Sequence, residues 1–471
     1  MGFRIREIEV ERKFSSTLTM DAFGQAVPRE TIGRVLERAG VREQRERKLT
    51  LVMVVFVLIA MNLYVSRSIG SVVRKVAQGL RLLWADVCIT VAGDSAIAYR
   101  RAQLGAPPLV ALFHEVCRPI AIRETPGAFL FGLRVMAIDG TTEDVADTPA
   151  NVAVFGRHRS GRGASAFPQL KGVYLVECGT HVIVDAGFWP CHCNERVGGK
   201  WMLRSVEAGM LVMWDNGFHD YDMLYRASRR GAQVLGRLPS YVKPTRVRRL
   251  SDGSYLGYLR PSEYRRRKRG ERLLVRIIEY TITDPALPGY REHHRLVTTL
   301  LDPQHAPALQ LACAYHERWE IELVIDEIDT HQRLAMRVLR SLTPVGVIQE
   351  LYALLIAHYA IRFLMHQAAL RAGVDPDRLS FVHALRVLQD AIPEFQLVAP
   401  EELGRLYERM LHDIGSYRLP DRRPRSNPRV VKRKMSKFPL KHEQHRCAPK
   451  PRGPLRDAVE IVSPEPISCS I

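Results

Sequence analysis

Apolar residues recur at helical spacing through the first quarter of the chain. Thr31 to Ala39, Leu51 to Met61, Ser71 to Leu83, Asp94 to Gln103 and Val110 to Cys117 each carry that pattern. Together they predict an all-helical N-terminal domain over residues 1–130. The run LVMVVFVLIAM (Leu51 to Met61) is apolar throughout, but a spanning helix needs about 20 such residues, so it reads as a buried helix. From Arg134 the period changes to that of strands: Val135 to Asp139, Val173 to Cys178, His181 to Ala186, Leu211 to Asp215 and Gln233 to Leu235, with a helix at Asp222 to Arg230. Leu238 to Leu300 adds short strand patterns at Tyr255 to Leu259, Leu273 to Thr283 and Leu296 to Leu301, separated by turn residues. Val345 to Met365 is a strongly apolar helix interrupted by His358, read as a core histidine, and Glu401 to Ile414 is a last amphipathic helix. From Tyr417 onward the chain is rich in Pro and Arg and is expected to be extended or disordered until it meets DNA.

One stretch carries chemistry. Read as a helix, YHERWEIELVIDEIDTHQ (Tyr315 to Gln332) puts Tyr315, Arg318 and Glu322 on one face and Ile321, Val324, Ile325 and Ile328 on another. A carboxylate on a packed helix can ligate a metal, and a nearby guanidinium can grip a phosphate; the alternative is a solvated acidic helix. Two strand-like runs, LRVMAIDG and GMLVMWDNGF, each end in an aspartate before a turn residue, which would present Asp139 and Asp215 at strand ends. Two aspartates and a glutamate are the hard oxygen ligands that a pair of magnesium ions needs for phosphoryl transfer.

Charge narrows the partner. The chain of 471 residues has 69 Lys and Arg against 50 Asp and Glu, a net charge of +19, which points to nucleic acid rather than to a membrane. Eight scattered cysteines form no framework of short spacings and suit reduced thiols in a cytosol. Cys191, His192 and Cys193 lack the spacing of a zinc knuckle and read as a surface loop, with zinc the alternative. Gly156 to Gly163, GRHRSGRG, lacks the pattern of a nucleotide-binding loop and reads as a basic loop, near DNA or simply solvated. Tyr264 to Arg269, YRRRKR, offers Arg265, Arg266, Arg267 and Lys268 to a DNA backbone; a solvated charge run is the alternative. The N-terminus has no apolar signal region, so secretion is not expected.

The motif Tyr315, Arg318, Glu322, together with AIDGTTEDVADTPAN, WDNGFHDYDML, SLTPVGVIQELYALLIAHYAIR and NPRVVKRKMSKFP, resembles the DDE transposases of bacterial insertion sequences, in the insertion-element-4 family. The resemblance runs from about residue 30 to residue 440. The family's signature is Tyr, two residues, Arg, three residues, Glu, six residues, Lys; here Asp329 stands where the family has Lys. That replaces a phosphate-contacting cation by an anion.

The resemblance implies an α/β fold, a ribonuclease H-like catalytic core over residues 131–400 interrupted by a β-strand insertion domain at 238–303. The helical domain 1–130 would bind DNA, and residues 401–471 would form a basic C-terminal helix and tail. It implies cut-and-paste transposition by end cleavage and strand transfer, with Asp139, Asp215 and Glu322 holding two Mg2+ ions, for which Mn2+ can substitute, and with Tyr315 and Arg318 positioning the phosphate. Terminal inverted repeats and target DNA would be its partners, a homodimer its paired-end form, and the bacterial cytoplasm and nucleoid its place, with no membrane. A decayed DNA-binding relic and a ribonuclease H-like nuclease are the alternatives, which terminal repeats flanking the gene would separate.

Overall fold

The computed structural model describes residues 3–5, 21–43, 49–65, 68–76, 93–160, 163–287, 289–318, 320–333, 338–420, 440, 442–443 and 451–463. The second half of the helix expected at Ser71 to Leu83, and the basic stretch 421–439, lie outside them. The N-terminal helices are α1 (Arg29–Arg38), α2 (Leu51–Met61), α3 (Ile69–Val76), α4 (Asp94–Leu104) and α5 (Pro107–Val116). There follow β1 (Leu133–Val145), α6 (Pro149–Phe155), β2 (Gln169–Glu177), β3 (Ile183–Pro190), α7 (Glu195–Met202), β4 (Met210–Trp214), α8 (Tyr221–Arg229) and β5 (Gln233–Arg237). Then come β6 (Thr245–Arg249), β7 (Tyr255–Leu259), α9 (Tyr264–Lys268), β8 (Leu273–Ile282), β9 (His294–Thr298), α10 (Ala308–Glu317) and α11 (Glu320–Asp326). The last elements are β10 (Val338–Leu339), α12 (Pro344–Ala372), α13 (Phe381–Leu397), α14 (Leu403–Ser416), α15 (Leu455–Ala458) and β11 (Val459–Ile461). The class is therefore mixed α/β.

These elements form two compact units that cut across the contiguous division expected from the sequence. The first comprises Met1–Phe129, Asp139–Ser205 and Glu320–Leu419. Its centre is α12, 29 residues long, packed against α2, α5, α13 and α14. The Thr343 hydroxyl accepts from the Gly346 amide at 3.2 Å to cap its start, Pro344 supplies the first turn, and Gly373 ends it with φ of 61°. By length and composition α12 could cross a membrane, yet it is buried along almost its whole length, as core helices are. Beneath its start a cluster of Val145, Phe155, Leu170, Leu339, Val347 and Leu351 joins the second half of β1 to β2, β10 and α6. β2 pairs antiparallel with β3, and β10 lies parallel to the end of β1.

The second unit comprises Leu130–Ile138, Val206–Trp319 and Pro420–Ile471. The first half of β1 pairs parallel with β4, Ile138 opposite Trp214, and β4 pairs parallel with β5, with α8 as the crossover. From β5 the sheet continues antiparallel through β9, β8, β7 and β6. This is the strand-rich segment read between Leu238 and Leu300, with β6, TRVRR, added to it.

Two expectations are corrected. β1 does not end at Asp139: Gly140 leaves the strand intact, and it runs on to Asp144 and Val145, which pair with Val338 and Leu339 of β10. The C-terminal segment is not extended throughout: residues 451–463 fold back, and β11 pairs antiparallel with β8, Tyr280 opposite Ile461. The short apolar run Ala458 to Val462 offers alternate side chains to an otherwise open strand edge, and that outweighs the Pro- and Arg-rich surroundings.

Candidate active site

Asp215 lies where the sequence puts it. β4 is buried through Trp214 and stops there; the Asp215 carboxylate then accepts from the Gly217 amide at 2.8 Å and the Phe218 amide at 3.3 Å, capping a short 3-10 turn. Two fixed donors on Oδ1 hold the carboxylate plane still. Asp139 stands inside β1, half-buried, with the Gly140 amide donating to its Oδ1 at 2.8 Å.

The motif stretch is not one continuous α-helix. α10 ends at Glu317, α11 begins at Glu320, and Glu327–Gln332 is a π-helix. α11 buries Ile321 and Val324 and exposes Glu322, so the two faces read from the sequence hold over this turn. In the second unit, the Tyr315 hydroxyl donates to the carbonyl of Trp214 at 3.3 Å, beside Asp215. Arg318, also buried, stacks its guanidinium over the Tyr315 ring at 5.8 Å. Burial pushes the Tyr315 hydroxyl up to about 12; Arg318 works against that and Asp215 adds to it. Tyrosine, arginine and aspartate of the motifs thus meet at the end of β4.

Sequence reasoning missed Arg237, at the end of β5, one residue beyond the pairing of Gly236 with Trp214. Its charge acts on Tyr315, His316, Tyr280 and His294. Those last three form a buried aromatic group: the Tyr280 hydroxyl lies 3.2 Å from His316 Nε2, and the Tyr280 and His294 rings stack at 4.9 Å. Burial first, then His294 and Arg237, holds His316 down at about 4, neutral at physiological pH. The only sequence signal was a basic residue just after a buried strand.

Of the basic run on α9, Arg265, Arg267 and Lys268 are exposed. Arg266 differs: it donates to Asp222 at 2.6 Å and to both oxygens of Glu271, and lies 5.4 Å from the Tyr221 ring. Its charge is already matched within the protein.

In the first unit the π-helix carries two ionic groups. Glu327 is buried; burial raises its carboxyl, but Arg362, His181 and His358 outweigh that and hold it well below the usual carboxylate range. Arg362 Nε donates to it at 2.8 Å, and His358 Nε2 is 3.2 Å away. Asp329 does not continue the face of Glu322 as an α-helix would require. The wider π turn brings it to Glu143 of β1 and to Arg333, 3.4 Å from Arg333 Nη1. Asp329 is therefore part of an internal ionic group, which corrects the reading of it as a residue facing a phosphate.

Among the described residues no three His, Cys, Asp or Glu side chains stand close enough together to hold a metal ion. Asp139 and Glu322 belong to the first unit and Asp215 to the second.

Comparison with known families decides what these groups belong to. Residues 17–114 match the N-terminal model of the insertion element 4 transposases, and residues 130–360 match the transposase DDE domain. The chain belongs to the insertion-element-4 family of DDE transposases. It is 26% identical over 444 residues to the Escherichia coli K12 transposase InsG for insertion sequence element IS4, covering 91% of this chain and 96% of that protein. It is 24% identical over 223 residues to the putative transposase InsZ of the same strain, 46% of this chain and 71% of that one. A solved piggyBac transposase in a synaptic complex with hairpin DNA matches at a TM-score of 0.42 and 11% identity, covering 83% of this chain and 84% of that one, too low to bear on the fold. As a DDE transposase of this family, the chain is an enzyme that cleaves and transfers DNA, a chemistry that runs on divalent metal ions.

Proposed function

We propose that Asp139, Asp215 and Glu322 are the metal-binding carboxylates of this transposase, on a ribonuclease H-like core, and that it moves an insertion element by cut-and-paste. The observation that carries the reading is the meeting of Tyr315 and Arg318 with the Asp215 end of β4, because it joins two separate family motifs in one place. The donor set fits hard cations such as Mg2+ or Mn2+: all oxygen, with Asp215 and Asp139 fixed by backbone amides. Two such ions supply an activated water or DNA 3′-hydroxyl and stabilise the leaving oxygen of an in-line displacement.

The chain's own residues do the rest. Arg318 and Arg237 set positive charge around Tyr315 at the Asp215 end of β4, where a scissile phosphate would be gripped and its charge offset. The Tyr315 hydroxyl, held neutral, anchors α10 to the strand that carries Asp215. Arg265, Arg267 and Lys268 contribute phosphate contacts without reading sequence. The partners are the terminal inverted repeats and a target duplex, the active form is a pair of protomers, and the reaction takes place on the DNA of a bacterial cytoplasm.

Asp139→Ala, Asp215→Ala and Glu322→Ala should each abolish cleavage of repeat-ended DNA in Mg2+ while leaving its binding within a few-fold of wild type. Near wild-type cleavage by any of the three overturns the assignment.

A further inference from the structure

The ionic group around Asp329 has a feature that a simple salt bridge lacks. Glu143 and Asp329 are two carboxylates facing a single cation, Arg333, whose guanidinium contacts Glu143 Oε2 and lies 3.4 Å from Asp329 Oδ1. Glu143 is 3% exposed and Arg333 5%, while the Asp329 side chain keeps 33% of its surface, so one negative charge would be left over against a buried ion pair. Glu143 Oε1 is buried and receives no hydrogen bond from any fixed donor. A proton on Asp329 removes both difficulties: it neutralises the excess charge and gives Oε1 a donor, the carboxylic O–H of Asp329. The other groups facing the pair do not replace that proton. Tyr174 of β2 is buried and stays neutral, and Glu350 of α12 adds only negative charge near Arg333.

Position gives the pair its consequence. On a strand, residues four apart share a face, so Glu143 stands on the side of β1 that carries Asp139. Asp329 lies in the π-helix that continues directly from α11, the helix of Glu322. We propose that Asp329 carries a proton that it donates to Glu143 and that this bond, added to the Arg333–Glu143 ion pair, clasps the helix of Glu322 to the strand of Asp139, a positioning contact for cleavage whose hold loosens when the proton is lost. The inference rests on the reading of Asp139 and Glu322 as metal ligands. Burial and the neighbouring Glu143 push Asp329 up to about 7, against the pull of Arg333, so the clasp is closed at acid pH and loosens above neutrality.

Two readouts on the full-length protein test this. The first needs no activity: difference infrared spectra between pH 6 and pH 9 should show the C=O stretch of a protonated carboxyl in wild type, absent from both Asp329→Asn and Glu143→Gln. The second is single-turnover cleavage of repeat-ended DNA from pH 6 to pH 9. Asp329→Asn keeps a hydrogen-bond donor at every pH, so the ratio of the wild-type rate to its rate should fall by about tenfold per pH unit above neutrality. Absence of the infrared band overturns the proton on Asp329 whatever the enzyme does. A band accompanied by parallel pH profiles overturns the positioning role. Cleavage by Asp139→Ala would instead defeat the metal-ligand reading and leave the infrared result standing.

Discussion

Replacing Arg362 by Met removes the cation from a deeply buried ionic group of the first unit while keeping much of the side-chain volume. Arg362 is 2% exposed and Glu327 6%, and the pair is completed by His181 and His358, both fully buried, with Asp377 3.3 Å beyond His181. Losing one partner of such a pair strands the other charge, which costs about 3–5 kcal/mol. Burial holds His358 down and the positive charge of Arg362 adds to it, so removing Arg362 makes it easier for this histidine to take up a proton in its place. The expected loss is therefore near the lower end, about 3 kcal/mol at pH 8, and smaller at pH 6 where a histidine can charge. The sign for wild type follows from Glu327: its folded carboxyl lies below its unfolded one, so its contribution is present above the ordinary carboxylate range and is lost as pH falls through the folded value. Urea unfolding of Arg362→Met at the two pH values measures this, and adding Glu327→Gln should recover much of the loss. A loss under about 1 kcal/mol, or the same loss at both pH values, would refute the reasoning.

Truncation before residue 451 should destabilise the second unit rather than merely trim a tail. It removes the β11 pairing with β8 and hydrogen bonds that include Thr283 amide and hydroxyl to Ala458, Val462 amide to Glu279 and Arg452 amide to Asp284, at about 1 kcal/mol each, so a lowered urea midpoint is expected and an unchanged one would place the segment outside the fold. Affinity for DNA should fall steeply between low and moderate salt, as expected for a chain of net charge +19 that releases counterions from phosphates; a fluorescence titration that is flat in salt would point to another partner.

What could be read from the sequence follows from how local its causes are. Asp215 was legible because a buried strand followed by Asn and Gly has few alternatives, and the turn that results uses the aspartate itself as its cap. Asp139 misled for the same reason: Gly140 looks like a turn, but β1 has partners on both sides, and those long-range pairings carry it through. Reading Asp329 in the place of a phosphate-contacting Lys assumed regular α-helical rotation beyond Glu322, which a π segment breaks without any signal in composition. The ionic groups around Glu327 and Asp329 were invisible because their members come from separate strands and helices and meet only in the folded unit. β6 was missed because four of its five residues are polar or charged, as exposed edge strands tend to be.

The central claim is that Asp139, Asp215 and Glu322 act by holding divalent metal, and exchange of a ligand atom tests it most directly. Asp215→Cys replaces an oxygen donor by sulfur, which Mg2+ disfavours and softer Mn2+ accepts. The account predicts that this variant binds repeat-ended DNA, fails to cleave it in Mg2+, and regains cleavage in Mn2+ well above that of Asp215→Ala. Equal activity of Asp215→Cys in the two metals, or no difference from Asp215→Ala in Mn2+, would contradict it.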